Sequence, residues 1–295
     1  MRRLLITLLA SFGLIALPGG CATSPATGKT IFVGMSESQE RQLGEEAAPE
    51  LTQQYGGAVK DPGLREYVTE VGTKLVAQIE DEDYRNLDWE FTLLDSAIIN
   101  AFALPGGKVF ITRGLTSRMT SEAQLAGVLG HEIGHVTARH AAQRMAKQGV
   151  VVGAVAATAI LTGVSEDEDI RAVGAGLVPA LAVGGQLVVL KYGRDEEKQS
   201  DELGMRYMAR AGYNPRGQLE VMQILRDASE GPRPPTFLSS HPHPEDRIEE
   251  IAEKLQTDYA YTQGNPEFVT LEDRFRARML RPLEELPPPA QGEGG

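Results

Sequence analysis

Three features of this 295-residue chain predict an α+β fold, mainly helical with one small β-sheet. Composition comes first: 295 residues with 41% hydrophobic and 24% charged positions can bury one sizeable core or at most two, and do not describe a disordered chain. Apolar residues at helical spacing mark a helix from Asp61, along Leu64, Val68, Val71, Leu75 and Ile79, and another from Leu125 onward. Between them, Trp89–Leu94 and Val109–Thr112 have strand character and are joined through Asn100–Gly107, where Pro105-Gly106-Gly107 signals a turn.

Read from its start, the chain opens with an export signal. Arg2 and Arg3 precede the apolar run Leu4–Leu17, which is too short for a comfortable membrane span, and Leu17-Pro18-Gly19-Gly20-Cys21 follows. Residues 1–20 are therefore expected to be a signal peptide. Its ending resembles a bacterial lipobox, with Pro18 as a departure, and the resemblance implies cleavage before Cys21 and lipidation of its sulfur. An ordinary secretory signal is the alternative. Cys21 is the sole cysteine, so an intramolecular disulfide is excluded, and a free thiol in an oxidising compartment would be a liability. Because Ala22, not aspartate, comes next, the lipoprotein resemblance implies the periplasmic face of the outer membrane. Residues 21–36, polar and rich in Thr, Ser, Gly and Pro, read as the lipidated cysteine and a tether.

The folded domain is expected over 37–285. Ser36–Tyr55 reads as a polar helix that Pro49 could interrupt, and the next helix starts at Asp61 with Pro62 in its first turn. Two apolar, Gly- and Ala-rich runs, Val150–Thr162 and Val173–Leu190, flank the acidic Ser165–Asp169. Pro179 and the glycines favour helices packed over the domain, touching a membrane surface, over insertion into it. Residues 286–295 read as a Pro/Gly-rich flexible tail. A net charge of −12 opposes approach to a phosphate backbone, so no nucleic-acid partner is expected.

The chemistry lies on the helix that Ser121 and Gln124 begin as a capping box and whose apolar pattern runs to Ala146. It carries His131-Glu132-Ile133-Gly134-His135. Histidines four apart share one helix face and can reach one metal ion, with Glu132 beside the open coordination position as general base. A catalytic zinc site needs a third protein ligand. His140 does not suit: nine residues past His131 on a continuous helix it is turned by about 900° and faces away. Glu197 is the best candidate. In the helix expected from Arg194 to about Ala211, Glu197, Asp201 and Met208 share a stripe, so Asp201 could accept the ring proton of His131 from behind.

In order, His131-Glu132-x-x-His135, Glu197-x-x-x-Asp201 and Ser240-His241-Pro242 resemble the membrane-associated zinc peptidases that include HtpX, Oma and the CaaX prenyl protease. The likeness is greatest to their periplasmic lipoprotein branch with BepA and LoiP, in a form without a tetratricopeptide domain. Asn100–Gly107 and Arg139-His140 are similar too, and the resemblance spans roughly Gly28 to Ile251. It implies a zincin-like (gluzincin) domain, one Zn2+ ion and hydrolysis of peptide bonds in misfolded or misassembled periplasmic and outer-membrane proteins, near the outer-membrane assembly machinery. The rival expectation is a lipoprotein chaperone that binds unfolded clients with little proteolysis. His241 and Arg194 are candidates for the oxyanion contact, and His241 could instead occupy the metal's open position as a latch. The strand Ile99–Leu104, through Asn100, Ala101, Phe102 and Ala103, could pair with an extended substrate unless it is fully paired inside the sheet.

Overall fold

A computed structural model describes residues 20–147, 191–231, 234–242 and 244–290. Residues 1–19 of the expected signal peptide, both apolar runs between 150 and 190, and 291–295 of the expected tail lie outside the described residues. Among the described residues no helix is long and apolar enough to cross a membrane.

Helix α1 (Glu37–Gln54) is capped by Ser36, whose hydroxyl accepts the Gln39 N–H while the Gln39 side chain returns to the Ser36 N–H. Pro49 sits inside it without ending it. Asp61 caps α2 (Pro62–Val76), and the stripe read from the sequence is all buried. The sheet has the order β3-β5-β4, where β3 (Glu90–Leu94) runs parallel to β5 (Lys108–Thr112) and β4 (Ala101–Leu104) antiparallel to it. Pro105-Gly106-Gly107 makes the β4–β5 turn, with both glycines at positive φ (81° and 93°), a conformation costly for any residue with a Cβ.

Helix α5 (Glu122–Thr137) lies at the centre, and every one of its residues is buried. It packs on the sheet, on α2, and on two later helices, Arg194–Arg210 and Arg216–Ser229, called α6 and α7 after the short α3 (Glu82–Arg85) and α4 (Arg113–Thr116). The closest approach is to α6. A Cβ on Gly204 would lie 2.9 Å from the backbone nitrogen of His131, so only glycine lets α6 come this near the two histidines. Glu122, at the start of α5, is fully buried and accepts from the Tyr67 and Tyr213 hydroxyls and from Arg274, which fastens the C-terminal helices to it. After α8 (Phe237–Ser240) comes α9 (Pro244–Gln256), which packs on α7 and reaches α6 through ion pairs of Arg247 and Lys254.

Three expectations change. The metal helix does not run to Ala146: it ends at Thr137, Arg139 takes φ +58°, and a new helical stretch starts at 140. The left-handed turn is held by the Arg139 guanidinium, which is buried, paired with Glu40 at 2.6 Å and bonded to the Met35 carbonyl at 3.0 Å. Second, residues 21–36, expected as a tether, form a hairpin of β1 (Gly20–Thr23) and β2 (Thr30–Val33), whose Val33 and the following Met35 pack on Ala142. Third, the start of the tail is docked: Ala290 bonds the backbone at Asp95 and Ala97, and the Pro287 carbonyl accepts from Arg113 at 3.0 Å.

Candidate metal centre

His131, His135, Glu197 and His241 each aim one donor atom at a common point, all four atoms within 4.8 Å of one another and all four residues buried. The separations are 3.0 Å from His131 Nε2 to His135 Nε2, 3.3 Å from His131 Nε2 to His241 Nδ1, and 3.0 Å from His241 Nδ1 to Glu197 Oε1. Glu197 Oε2 is 3.6 Å from His131 Nε2, and Glu197 Oε1 is 3.5 Å from His135 Nε2. A tetrahedral ion with ligand bonds of about 2.0–2.1 Å would need edges of about 3.3 Å, so the constellation has the dimensions of such a site.

The outer contacts favour one set of tautomers. His131 Nδ1 lies 2.9 Å from Asp201 Oδ1 and 3.2 Å from Arg247 Nη2; with the nearer carboxylate oxygen accepting, Nδ1 carries the proton and Nε2 keeps its lone pair. His135 Nδ1 is 2.8 Å from His140 Nδ1, and His140 Nε2 is 2.8 Å from Gln199 Oε1. With the amide oxygen accepting, His140 donates from Nε2 and accepts from His135 Nδ1–H, leaving a lone pair on His135 Nε2. Two lone pairs facing each other at 3.0 Å repel, and a cation between them resolves the conflict. Burial holds His135 well below the usual histidine range, so its imidazole is neutral and needs no proton displaced. His140 is thus no ligand, yet it does not face away. The chain reversal at Arg139 swings it back against His135, whereas the expectation assumed one straight helix.

Glu132 is fully buried with neither carboxylate oxygen hydrogen-bonded, and its Oε1 lies 3.6 Å from His241 Nε2. Burial raises its pKa, more than His241 and His131 lower it, which moves a carboxylate toward the range of a general base at neutral pH. Glu197 behaves oppositely: burial alone would raise it, but His241 and Arg247 outweigh that and keep it well below the usual range, ionised. The unsatisfied Glu132 oxygens, Glu197 Oε2 and His241 Nε2 all gather at this one place. Buried polar atoms without partners are rare and call for an occupant.

The description of peptidase family M48 matches residues 63–255, which include all of these groups. The chain belongs to this family. It is 29% identical over 259 residues to a beta-barrel assembly-enhancing protease of Escherichia coli, with 84% of this chain and 51% of that protein covered. A Vibrio cholerae relative provisionally given the same name is 34% identical over 203 residues, covering 67% of this chain and 40% of its own length. The mitochondrial metalloendopeptidase OMA1 of Schizosaccharomyces pombe is 30% identical over 241 residues, with 78% of this chain and 65% of that protein covered. The chain thus spans about half the length, or less, of the bacterial relatives it matches.

Several groups around this M48 centre were not read from the sequence. Arg247 on α9 is buried and bonds both Asp201 oxygens at 2.7 Å, while its Nη1 pairs with Glu197 Oε2 at 2.7 Å, too poorly aligned to count as a hydrogen bond. The Gln218 amide also donates to Asp201 Oδ1 at 2.8 Å. Tyr192 stacks on His135 with ring centroids 3.9 Å apart, and Phe237 stacks on His241 at 4.2 Å. The available signal was periodicity: Arg247 shares a helical stripe with Ile251 and Leu255, and a charge on an apolar stripe demands buried counter-charges.

Other expected residues fall elsewhere. Arg194 is exposed and pairs with Asp246 at 3.1 Å, so its side chain is not turned into the cluster. Cys21 is exposed on the hairpin. Asn100 and Phe102 turn their side chains inward, to the Tyr55 hydroxyl and to the Phe110 ring. Ala101 is buried and Ala103 partly so. Nevertheless β4 pairs with β5 on one side alone, as the sheet's edge. The Ile99 carbonyl, two residues before β4, accepts the Phe237 N–H at 3.3 Å, which ties the segment bearing His241 to the start of the edge strand.

Proposed function

We propose that this chain is a zinc-dependent endopeptidase of the bacterial envelope, lipid-anchored at Cys21 on the periplasmic face of the outer membrane. One observation carries the reading: four converging donor atoms of metal-site dimensions, beside a buried glutamate without hydrogen-bond partners, in an M48 chain. His131, His135 and Glu197 would hold the ion. Zinc, when bound, supplies Lewis acidity, polarising a carbonyl and bringing the pKa of water toward neutrality. Glu132 takes the proton from the attacking water and returns it to the leaving amine. Asp201 and His140 hold the tautomers of His131 and His135, and Arg247 orients Glu197 and Asp201 from behind. Main-chain groups on the open edge of β4 pair with an extended peptide, which selects unfolded strands with little regard to sequence. Misfolded or misassembled periplasmic and outer-membrane proteins fit that requirement, and the names of the bacterial relatives point to clients on the β-barrel assembly route.

His241 acts as a latch in this reading. Its Nδ1 is within 3.3 Å of His131 Nε2 and 3.0 Å of Glu197 Oε1, the place that water and a substrate carbonyl need. The segment that carries it is also bonded, through the Phe237 N–H, to Ile99 just before β4. Zinc-loaded wild-type chain and His241→Ala are to be incubated with an unfolded, reduced test protein, with and without chelator. The expected result is chelator-sensitive cleavage that is several-fold faster for His241→Ala. Slower cleavage by the variant would make His241 an oxyanion contact. No fragments from either would favour the chaperone reading.

A further inference from the structure

We propose that the outer face of the β1–β2 hairpin docks on the lipid bilayer, with Phe32 entering the interfacial layer beside the acyl chains on Cys21. The proposal rests on the lipid-anchor reading of Cys21. Cys21 and Phe32 are direct cross-strand partners, so their side chains leave the same face of the ribbon. Ser24 N–H bonds the Lys29 carbonyl at 2.7 Å, and counting back by twos makes Ala22–Ile31 a hydrogen-bonded pair and Cys21–Phe32 a non-hydrogen-bonded one. In pairs of that second kind the facing side chains stand closest.

The two faces of the hairpin differ sharply. Ala22, Ile31 and Val33 turn inward, onto Ala142 and Met145. Cys21, Thr23, Thr30 and Phe32 turn outward, all exposed and none charged. Phe32 is 50% exposed, one of two large hydrophobic side chains exposed among the described residues. The chain itself says what covers this face. Cys21 lies in β1, so once acylated it would hold the hairpin, before any other part of the body, at the lipid surface. Cleavage before Cys21 would remove the Gly20–Val33 pair and keep the other three.

Several acyl chains on one residue suffice to hold a protein at a bilayer but leave it free to swivel, and an apolar contact beside them fixes its orientation. Here that contact is rigid. The hairpin is bonded to the stretch after the metal helix through Gly34 N–H and the Ala142 carbonyl at 2.8 Å, so docking it sets the height and tilt of the metal centre above the lipid.

The test uses the full lipoprotein in vesicles of phosphatidylethanolamine and phosphatidylglycerol with brominated acyl chains. Wild type has one tryptophan, Trp89, whose indole bonds the Tyr84 carbonyl within the body and serves as an internal reference. Phe32→Trp should add a blue-shifted emission that brominated lipid quenches at least about twofold, as for a ring about 5–10 Å into the headgroup boundary. Thr30→Trp, on the same face, should be quenched as well and guards against a local effect at position 32. Intact mass read on the same samples reports acylation of Cys21. Acylated protein whose added tryptophans are both unquenched overturns the docking and leaves the anchor. Protein without acyl chains overturns the anchor reading, and the docking with it.

Discussion

Glu197→Gln is expected to leave the chain without its metal and to lower its peptidase activity by more than about a hundredfold, because even partners one bond behind a ligand are worth 10–100-fold. The amide keeps the size of the carboxylate and removes its charge. Two changes follow. The site loses the one anionic donor among its proposed ligands, and Arg247 loses the counter-ion 2.7 Å from its Nη1. Metal content by atomic spectroscopy and cleavage of an unfolded protein measure the first effect directly. A variant that keeps one zinc per chain and near wild-type cleavage would remove Glu197 from the ligand set.

Arg247→Met should cost about 3–5 kcal/mol of stability, the scale of stripping one partner from a buried ion pair, together with about a 10–100-fold loss in metal affinity. The guanidinium is buried on α9, and both Asp201 oxygens and Glu197 depend on it. It acts by positioning. Arg247→Lys restores the charge but not the two-pronged geometry and should recover only part of the loss. Asp201 and Glu197 both sit below their ordinary values of 3.8 and 4.5: burial pushes each up, and Arg247 with nearby histidines more than offsets it. A carboxylate depressed in this way adds stability above its unfolded pKa and loses it as pH falls through the folded one. Wild-type stability from this cluster should therefore be intact above pH 4.5 and erode below it, and Arg247→Met should show a shallower acid dependence. Urea unfolding across pH 3–7 reads both effects, and a change under about 1 kcal/mol would contradict the clamp.

Local signals carried much of this. The Asp61 cap with Pro62 and its apolar stripe delivered α2, and Ser121 with Gln124 marked the start of the metal helix. There the sequence reading was right in kind and wrong in detail: the Gln124 side chain bonds the Thr120 N–H and not that of Ser121. The end of the same helix was not legible. Ala138-Arg139-His140 contains no glycine or proline, and its left-handed turn exists because Glu40 and Met35, some hundred residues earlier in the chain, hold Arg139. The same break delivers His140 to His135. Long-range pairing also explains the hairpin: its polar sequence reads as tether until Val33 and Met35 find Ala142. Likewise Gln218 and Arg247 look like ordinary helix residues until folding places Asp201 between them.

Cleavage of an unfolded, reduced protein by zinc-loaded His241→Ala chain, beside the same chain also carrying Glu132→Gln, tests the central claim most directly. Neither Glu132 oxygen has a hydrogen-bond partner to lose, so the glutamine variant should fold and hold zinc as before. The account predicts loss of at least about a thousandfold in cleavage, within the range that general acid–base catalysis contributes. Equal cleavage by both chains, at equal zinc content, would contradict it.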